Sequence, residues 1–247
     1  EPYFTHPYEV AFILAKEIPI DDVTIAAALL HDVIEDTEFN IKDIKAEFGN
    51  EVAEIVDGAT QIEGLVENYE LKQIESYKKM LLSMTSDMRV MLIKFADRLH
   101  NLRTLEFLSN KRQYRMAQET LDIYAPLAHR FGLSKLKSEL EDLSFKYLNR
   151  KDYDNIANHI KDKKRERERF LKKFIEPIRE SLIKENFKFE IYSRAKHIYS
   201  IYLKLQKREK GFDDIYDLLA VRIILDSENK YDCFSVYGIV SQLYAPI

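Results

Sequence analysis

The chain has 247 residues, 46% of them hydrophobic and 32% charged, which is enough to bury one large core or two ordinary ones and excludes a disordered tail or a disulfide-stapled miniprotein. A single cysteine, Cys233, rules out an internal disulfide, and six glycines with six prolines rule out collagen-like or low-complexity sequence. The net charge of −4 is an average over unlike regions: residues 1–60 hold 14 acidic side chains against Lys16, Lys42 and Lys45, a net −11, and the remainder carries +7. The longest apolar runs, 24–30 and 218–225, fall short of the ~18 to 20 residues that span a bilayer. The first residues lack the basic-then-apolar start of a signal peptide. A cytoplasmic protein with no membrane partner is expected.

In chain order, Asp21 or Asp22 is placed to cap a helix from Val23 to Ile34, whose Ala26-Ala27-Ala28 stretch admits a close neighbour. Apolar residues at helical spacing follow through Ile41, Ile44 and Phe48, stopped by Gly49, and again through Ile74, Tyr77, Leu81 and Met84. Residues 88–108 read as a long helix, 114–130 as another stopped by Gly132, and 134–148 as a third with Leu136, Leu140 and Leu143 inward. Residues 161–173 hold eight basic and three acidic side chains, the alternation of a solvated connecting helix. The period then changes. Phe187, Phe189 and Ile191 alternate with Lys188, Glu190 and Tyr192 as in a half-buried strand, a helix is expected over 196–207, a second strand over 218–225, and a last helix over 233–244. This is a mainly α chain, with a helical domain over 1–148, a helical connector over 149–184, and over 185–247 the start of a mixed α/β domain whose sheet is expected to be incomplete.

Two groups of residues carry chemistry. In the stretch HDVIED, His31 and Asp32 each have an acidic partner four residues on, Glu35 and Asp36. In KFADRLHNLRTL, Asp97, Asn101 and Thr104 fall on one helical face with Val90 and Ile93, where an unpaired Asp in an apolar stripe would be expensive. His6 adds an imidazole at the start of the first helix. Taken singly, Asp97 could pair with Arg98 or Arg103, and the acids of 35–38 could be a solvated face. Together, two imidazoles and two carboxylates form a donor set suited to Mn²⁺, Fe²⁺ or Zn²⁺. The second group is Arg194, Lys196 and His197 at a strand-to-helix junction, with Ser200, Lys204 and Lys207 along one face of the helix and Asp217 at the next strand. Periodicity alone describes it as an amphipathic helix with Ile198, Ile201 and Leu205 inward. The basic face could instead hold phosphate oxygens, and Asp217 could hold Mg²⁺.

The order His6, His31-Asp32, Asp97 on helices resembles the HD phosphohydrolase superfamily. The strings EPYFTHP, AALLHDVIEDT, IKFADRLHNLRTL and AQETLDIYAPLAHRFG, in order through residues 1–132, resemble its RelA/SpoT branch, which makes and degrades the alarmone (p)ppGpp. The resemblance implies that His6, His31, Asp32 and Asp97 ligate Mn²⁺, that Glu35 and Asp36 position or deprotonate the attacking water, and that Asn101 and Thr104 contact the nucleotide. The implied reaction is hydrolysis of the 3′-pyrophosphate to GDP or GTP plus pyrophosphate. That chemistry needs a cation to neutralise anionic oxygens and a nucleophile generated near neutral pH.

For the second half, the resemblance implies a nucleotidyltransferase-like synthetase domain. Arg194 would stack on adenine, Lys196, His197, Ser200 and Lys204 would line the phosphates of ATP, and Asp217 would ligate Mg²⁺ for pyrophosphate transfer to GDP or GTP. Family members also carry a short basic stretch before the EPY string and, at positions past Ile247, further synthetase residues, so a fragment of a longer enzyme is expected. Any ribosome contact would belong to a C-terminal region beyond it. Two other readings stay open: an HD phosphohydrolase of another nucleotide with a basic sensor half, and a nucleic-acid binder using the basic segments 161–173 and 194–210.

Overall fold

The structure is a computed structural model that describes residues 4–18, 20–61, 87–162, 164–208 and 219–245. The chain divides into two compact units, Glu1–Leu148 and Asn149–Ile247.

The first unit is helical throughout its described residues: α1 (Thr5–Glu17), α2 (Asp22–Leu30), α3 (Val33–Asp36), α4 (Ile41–Phe48), α5 (Asn50–Gln61), α6 (Met88–Arg103), a 3₁₀ turn (Leu105–Phe107), α7 (Asn110–Glu119), a π turn (Thr120–Tyr124), α8 (Ala125–Arg130) and α9 (Ser134–Leu148). Local chemistry accounts for the ends. Asp21 caps α2 by accepting from the Thr24 amide at 2.8 Å, Asn40 and Asp43 form a capping box on α4, and Gly49 and Gly132 take the positive φ values, 89° and 76°, that side chains resist. Helix α6 runs through the core, burying Met91, Ile93, Phe95, Leu99 and Leu102 against a cluster that includes Leu14, Ala27, Ala28 and Ile55. Ala27 and Ala28 are fully buried where α2 meets α1, α5 and α6, the close approach that small side chains allow.

Three helix expectations change in detail, and the one over 74–84 lies outside the described residues. The helix expected over 23–34 breaks at His31 and Asp32. The His31 imidazole bonds the Ala28 carbonyl at 2.7 Å, the acceptor that the Asp32 amide would use in a continuing helix. Asp32 then opens a new turn, its own carbonyl accepting from the amides of Glu35 and Asp36 at 3.1 and 3.0 Å. The helix expected over 88–108 ends at Arg103, where Thr104 takes a non-helical conformation before the 3₁₀ turn. The one expected over 114–130 starts at Asn110 and contains the π turn.

The second unit comprises α10 (Arg150–Asp162), α11 (Lys164–Lys184), β1 (Phe189–Ala195), α12 (Ile198–Arg208), β2 (Leu219–Leu225) and α13 (Tyr231–Leu243). Asn186, at φ 60°, turns the chain from α11 into β1. The strands pair antiparallel with Phe189 opposite Leu225 and Ile191 opposite Ile223. These four side chains pack with Phe187 on Ile178 and Leu182 of α11 and Val236 of α13. The segment expected as a connector therefore shares a core with the strands. In β2, Ile223 and Leu225 join this core while Ile224 between them is 48% exposed. Among the described residues, no helix is long and apolar enough to cross a membrane.

Candidate functional site

The first-unit cluster is assembled from three helical elements. His6 lies in the first turn of α1, His31 and Asp32 at the break between α2 and α3, and Asp97 in the middle of α6. His6 Nε2 sits 3.5 Å from Asp32 Oδ2 and 3.3 Å from Asp97 Oδ1, and His31 Nε2 sits 3.1 Å from Asp32 Oδ1. One donor atom each from His6, His31 and Asp32 falls within a 4.8 Å span. Asp97 joins them through His6. The helix break at His31 thus brings two donors to a point that His6 and Asp97, 91 positions apart in sequence, also reach.

The cluster is partly buried and holds two carboxylates beside two imidazoles. Burial alone would push the Asp97 carboxyl up, but the His6 imidazole, 3.3 Å away, and the charge of Lys94, 3.9 Å away, hold it well below the usual carboxylate range. Burial raises Asp32 above its ordinary value, and the neighbouring Asp97 charge adds to the rise. Burial opposes a proton on His6, yet the nearby carboxylates of Asp97 and Asp32 keep its pKa above the ordinary histidine value.

Whether the donors suit a divalent cation turns on His31. Its side chain is fully buried, and its Nδ1 must donate to Ala28 O, which can only accept. In the neutral ring the lone pair therefore lies on Nε2. That atom is buried without a hydrogen-bond partner, since Asp32 Oδ1 is near it but not aligned for one. A buried nitrogen lone pair facing carboxylates, with its other nitrogen tied to a carbonyl, is the arrangement metal-ligating histidines adopt. The residues fit a cation.

The pairing of Asp97 with Arg98 or Arg103 is not what the structure adopts. Arg98 donates to Glu119 and Tyr124 at 3.2 and 2.8 Å, and Arg103 to Glu139 at 2.8 Å. Asp97 instead accepts from Asn101 Nδ2 at 2.7 Å. Thr104 caps the end of α6, its hydroxyl bonded to the His100 carbonyl at 3.1 Å. Glu35 and Asp36 are exposed on α3, immediately after the cluster. Two residues of the site escaped the sequence reading. Lys94 and His100 are buried on α6 on either side of Asp97, and His100 Nδ1 lies 2.7 Å from His6 Nδ1. Their spacing of three from Asp97 was the available signal.

In the second unit, Lys196 and His197 lie in the link between β1 and α12, and Ser200 and Lys204 on α12; all four are half-buried. Arg194 has its backbone in β1 opposite Ala220, but its side chain, and Asp217 altogether, lie outside the described residues.

Residues 1–134 match a family model described as "HD domain", and residues 193–247 match one described as "Region found in RelA / SpoT proteins". The chain belongs to the HD-domain family, in its RelA/SpoT branch. It is 42% identical to a GTP pyrophosphokinase of Myxococcus xanthus, 41% to a guanosine-3′,5′-bis(diphosphate) 3′-pyrophosphohydrolase of Aquifex aeolicus and 43% to a probable enzyme of the latter name from Synechocystis. Each match takes in 100% of this chain but only 33%, 35% and 32% of the relative, so the chain spans about a third of the length of the curated relatives it matches.

Proposed function

We propose that the first unit hydrolyses the 3′-pyrophosphate of (p)ppGpp to GDP or GTP plus pyrophosphate. His6, His31, Asp32 and Asp97 would hold a divalent cation, Mn²⁺ by the family resemblance. The observation that carries the reading is the convergence of two imidazole nitrogens and two carboxylates within 3.5 Å neighbour distances, with the His31 Nε2 lone pair buried 3.1 Å from Asp32 Oδ1. The names of the relatives supply the substrate. Bound there, the cation supplies Lewis acidity, neutralising pyrophosphate oxygens and making a water acidic enough to attack near neutral pH. Asn101 orients Asp97 through its amide. By the resemblance, Glu35 and Asp36, exposed on α3 just after Asp32, would orient or deprotonate the water, and Asn101 and Thr104, in the last turn and at the C-cap of α6, would contact the nucleotide.

The second unit is proposed to contribute Arg194, Lys196, His197, Ser200, Lys204 and Asp217, with Mg²⁺, to pyrophosphate transfer from ATP to GDP or GTP in the complete protein. The match over 193–247 and the relatives named GTP pyrophosphokinase support this.

Purified protein supplied with Mn²⁺ is expected to release pyrophosphate from ppGpp, and His31→Ala or Asp32→Ala to bring release to the detection limit. A folded protein that binds Mn²⁺ but leaves ppGpp intact, while cleaving dGTP or a cyclic dinucleotide in the same panel, would establish the other HD phosphohydrolase reading instead.

A further inference from the structure

We propose that His100 is a positioning residue that fixes the tautomer of His6, a role that rests on the divalent-cation reading above. The two rings meet through their Nδ1 atoms at 2.7 Å, with centroids 4.8 Å apart. His100 is 7% exposed on α6, three residues after Asp97, and α6 packs along α1, which carries His6. The rings are thus held against each other by the packing of two helices.

Two neutral ring nitrogens at hydrogen-bond distance must divide the roles, one donating and the other accepting. The two assignments have opposite consequences. When His6 Nδ1 donates, the lone pair of His6 lies on Nε2, the atom 3.5 Å from Asp32 Oδ2 and 3.3 Å from Asp97 Oδ1. When His100 Nδ1 donates, neutral His6 carries its proton on Nε2, and that nitrogen is closed to a cation. A ligating His6 therefore requires His100 to accept.

The second histidine of the cluster provides an internal comparison. At His31 the Nδ1 partner is the Ala28 carbonyl, which can only accept, so the backbone enforces the ligating tautomer. At His6 the corresponding place is taken by the His100 imidazole, which accepts in one of its own two tautomers. His100 does for His6 what the Ala28 carbonyl does for His31. Removal of such an outer partner typically weakens metal binding about 10- to 100-fold.

The test uses the protein with Mn²⁺ in calorimetric titration and with Zn²⁺ as a diamagnetic probe in long-range ¹H–¹⁵N correlation spectra of the histidine rings. Mn²⁺ affinity is expected to fall about 10- to 100-fold in His100→Leu, which fills space but accepts nothing. It is expected to recover in large part in His100→Gln, whose amide oxygen accepts. In the Zn²⁺-loaded wild type, the His6 proton is expected on Nδ1. A His100→Leu protein that binds Mn²⁺ as tightly as wild type overturns the proposal, as does a proton on His6 Nε2 in the loaded wild type. The ring spectrum decides the matter alone if circular dichroism shows the variants unfolded. A wild type that takes up neither ion overturns the cation reading itself, whereas wild-type binding with unchanged variants removes only the role of His100.

Discussion

The two units treat polar groups in opposite ways. All of the buried polar side chains among the described residues, His31, Lys94, Asp97 and His100 with them, lie in the first unit, beneath and between helices that also supply a large apolar core. The second unit has a core of Ile178, Leu182 and Val236 with the inner faces of two strands, and it leaves Tyr231, Phe234 and Tyr237 of α13 at 64 to 72% exposure. Its candidate phosphate-binding residues stand half-buried along one link and one helix. Burying a charged group is expensive unless it is paired, so a unit that buries several near one point has committed its packing to that point. The first unit buries its candidate cluster within its packing, whereas the second leaves Lys196, His197, Ser200 and Lys204 half-buried, apart from its core.

The largest effects should come from the two cores. Phe95 is fully buried and packs edge-on against Tyr124 and Phe131. Phe95→Ala is expected to lower stability by about 3 to 5 kcal/mol, and Leu182→Ala, in the smaller core, by about 2 to 5 kcal/mol. Hydrogen exchange read residue by residue checks the division. Phe95→Ala should release the amides of α1, α5 and α6 while those of β1 and β2 keep their protection, and Leu182→Ala should do the reverse. Equal loss in both units from either variant would break the comparison.

A smaller effect concerns a charge cluster that ties helix starts together. Arg89 bonds Asp87, the N-cap of α6, and reaches Asp21, the N-cap of α2, at 3.0 Å and Glu51 at 2.8 Å. Because the three acids are partly exposed, Arg89→Ala is expected to lower stability by roughly 1 to 2 kcal/mol in thermal melts. Asp21 is held below the ordinary carboxylate value first by its hydrogen bonds from Thr24, and Asp87 first by Arg89. A carboxyl whose pKa is depressed by folding contributes stability above its unfolded value, near 4, and loses it as pH falls toward the folded value. Acid melts of the wild type should therefore steepen below about pH 4. The Asp87 share should shrink most in Arg89→Ala, where only the residue-89 backbone amide still bonds the carboxylate, while most of the Asp21 share, held first by Thr24, remains.

Much of the helical frame was legible because its signals are local. Asp21, Gly49 and Gly132 punctuate helices where the sequence placed them, and 134–148 was read to its ends. The alternation through Phe187, Phe189 and Ile191 likewise gave β1 its inward face. The break at His31 was not legible, since the apolar spacing of α2 continues through Val33 and Ile34, and the imidazole's bond to the Ala28 carbonyl leaves no mark on that spacing. The π turn at 120–124 leaves no mark on composition. Four of the site residues were legible as chemistry and as one donor set, and the resemblance implied that they meet; spacing alone did not, because His6 and Asp97 are joined by packing that no spacing encodes. His100 was passed over for a related reason. A histidine within an apolar helical face reads as ordinary core until its neighbour from another helix is known.

The smallest effect contrasts one glycine from each unit. Gly58, inside α5, lies where a Cβ would stand 2.9 Å from Val90 Cγ2 on α6. Gly238, inside α13, would place its Cβ with nothing within 4 Å. Both are interior helix positions, where alanine is favoured over glycine by about 1 kcal/mol. At Gly238 that gain is unopposed, and Gly238→Ala is expected to stabilise the second unit by about 0.5 to 1 kcal/mol. At Gly58 the new methyl meets a β-branched side chain with little rotamer freedom in a filled core, and overpacking of this kind typically costs about 1 to 3 kcal/mol. The clash outweighs the propensity, so Gly58→Ala is expected to destabilise the first unit. Denaturant midpoints of the two variants should move in opposite directions. A stabilising Gly58→Ala would mean that α5 and α6 can part by a few tenths of an ångström without loss, and the first unit would then be less tightly packed around its site than the contrast with the second requires.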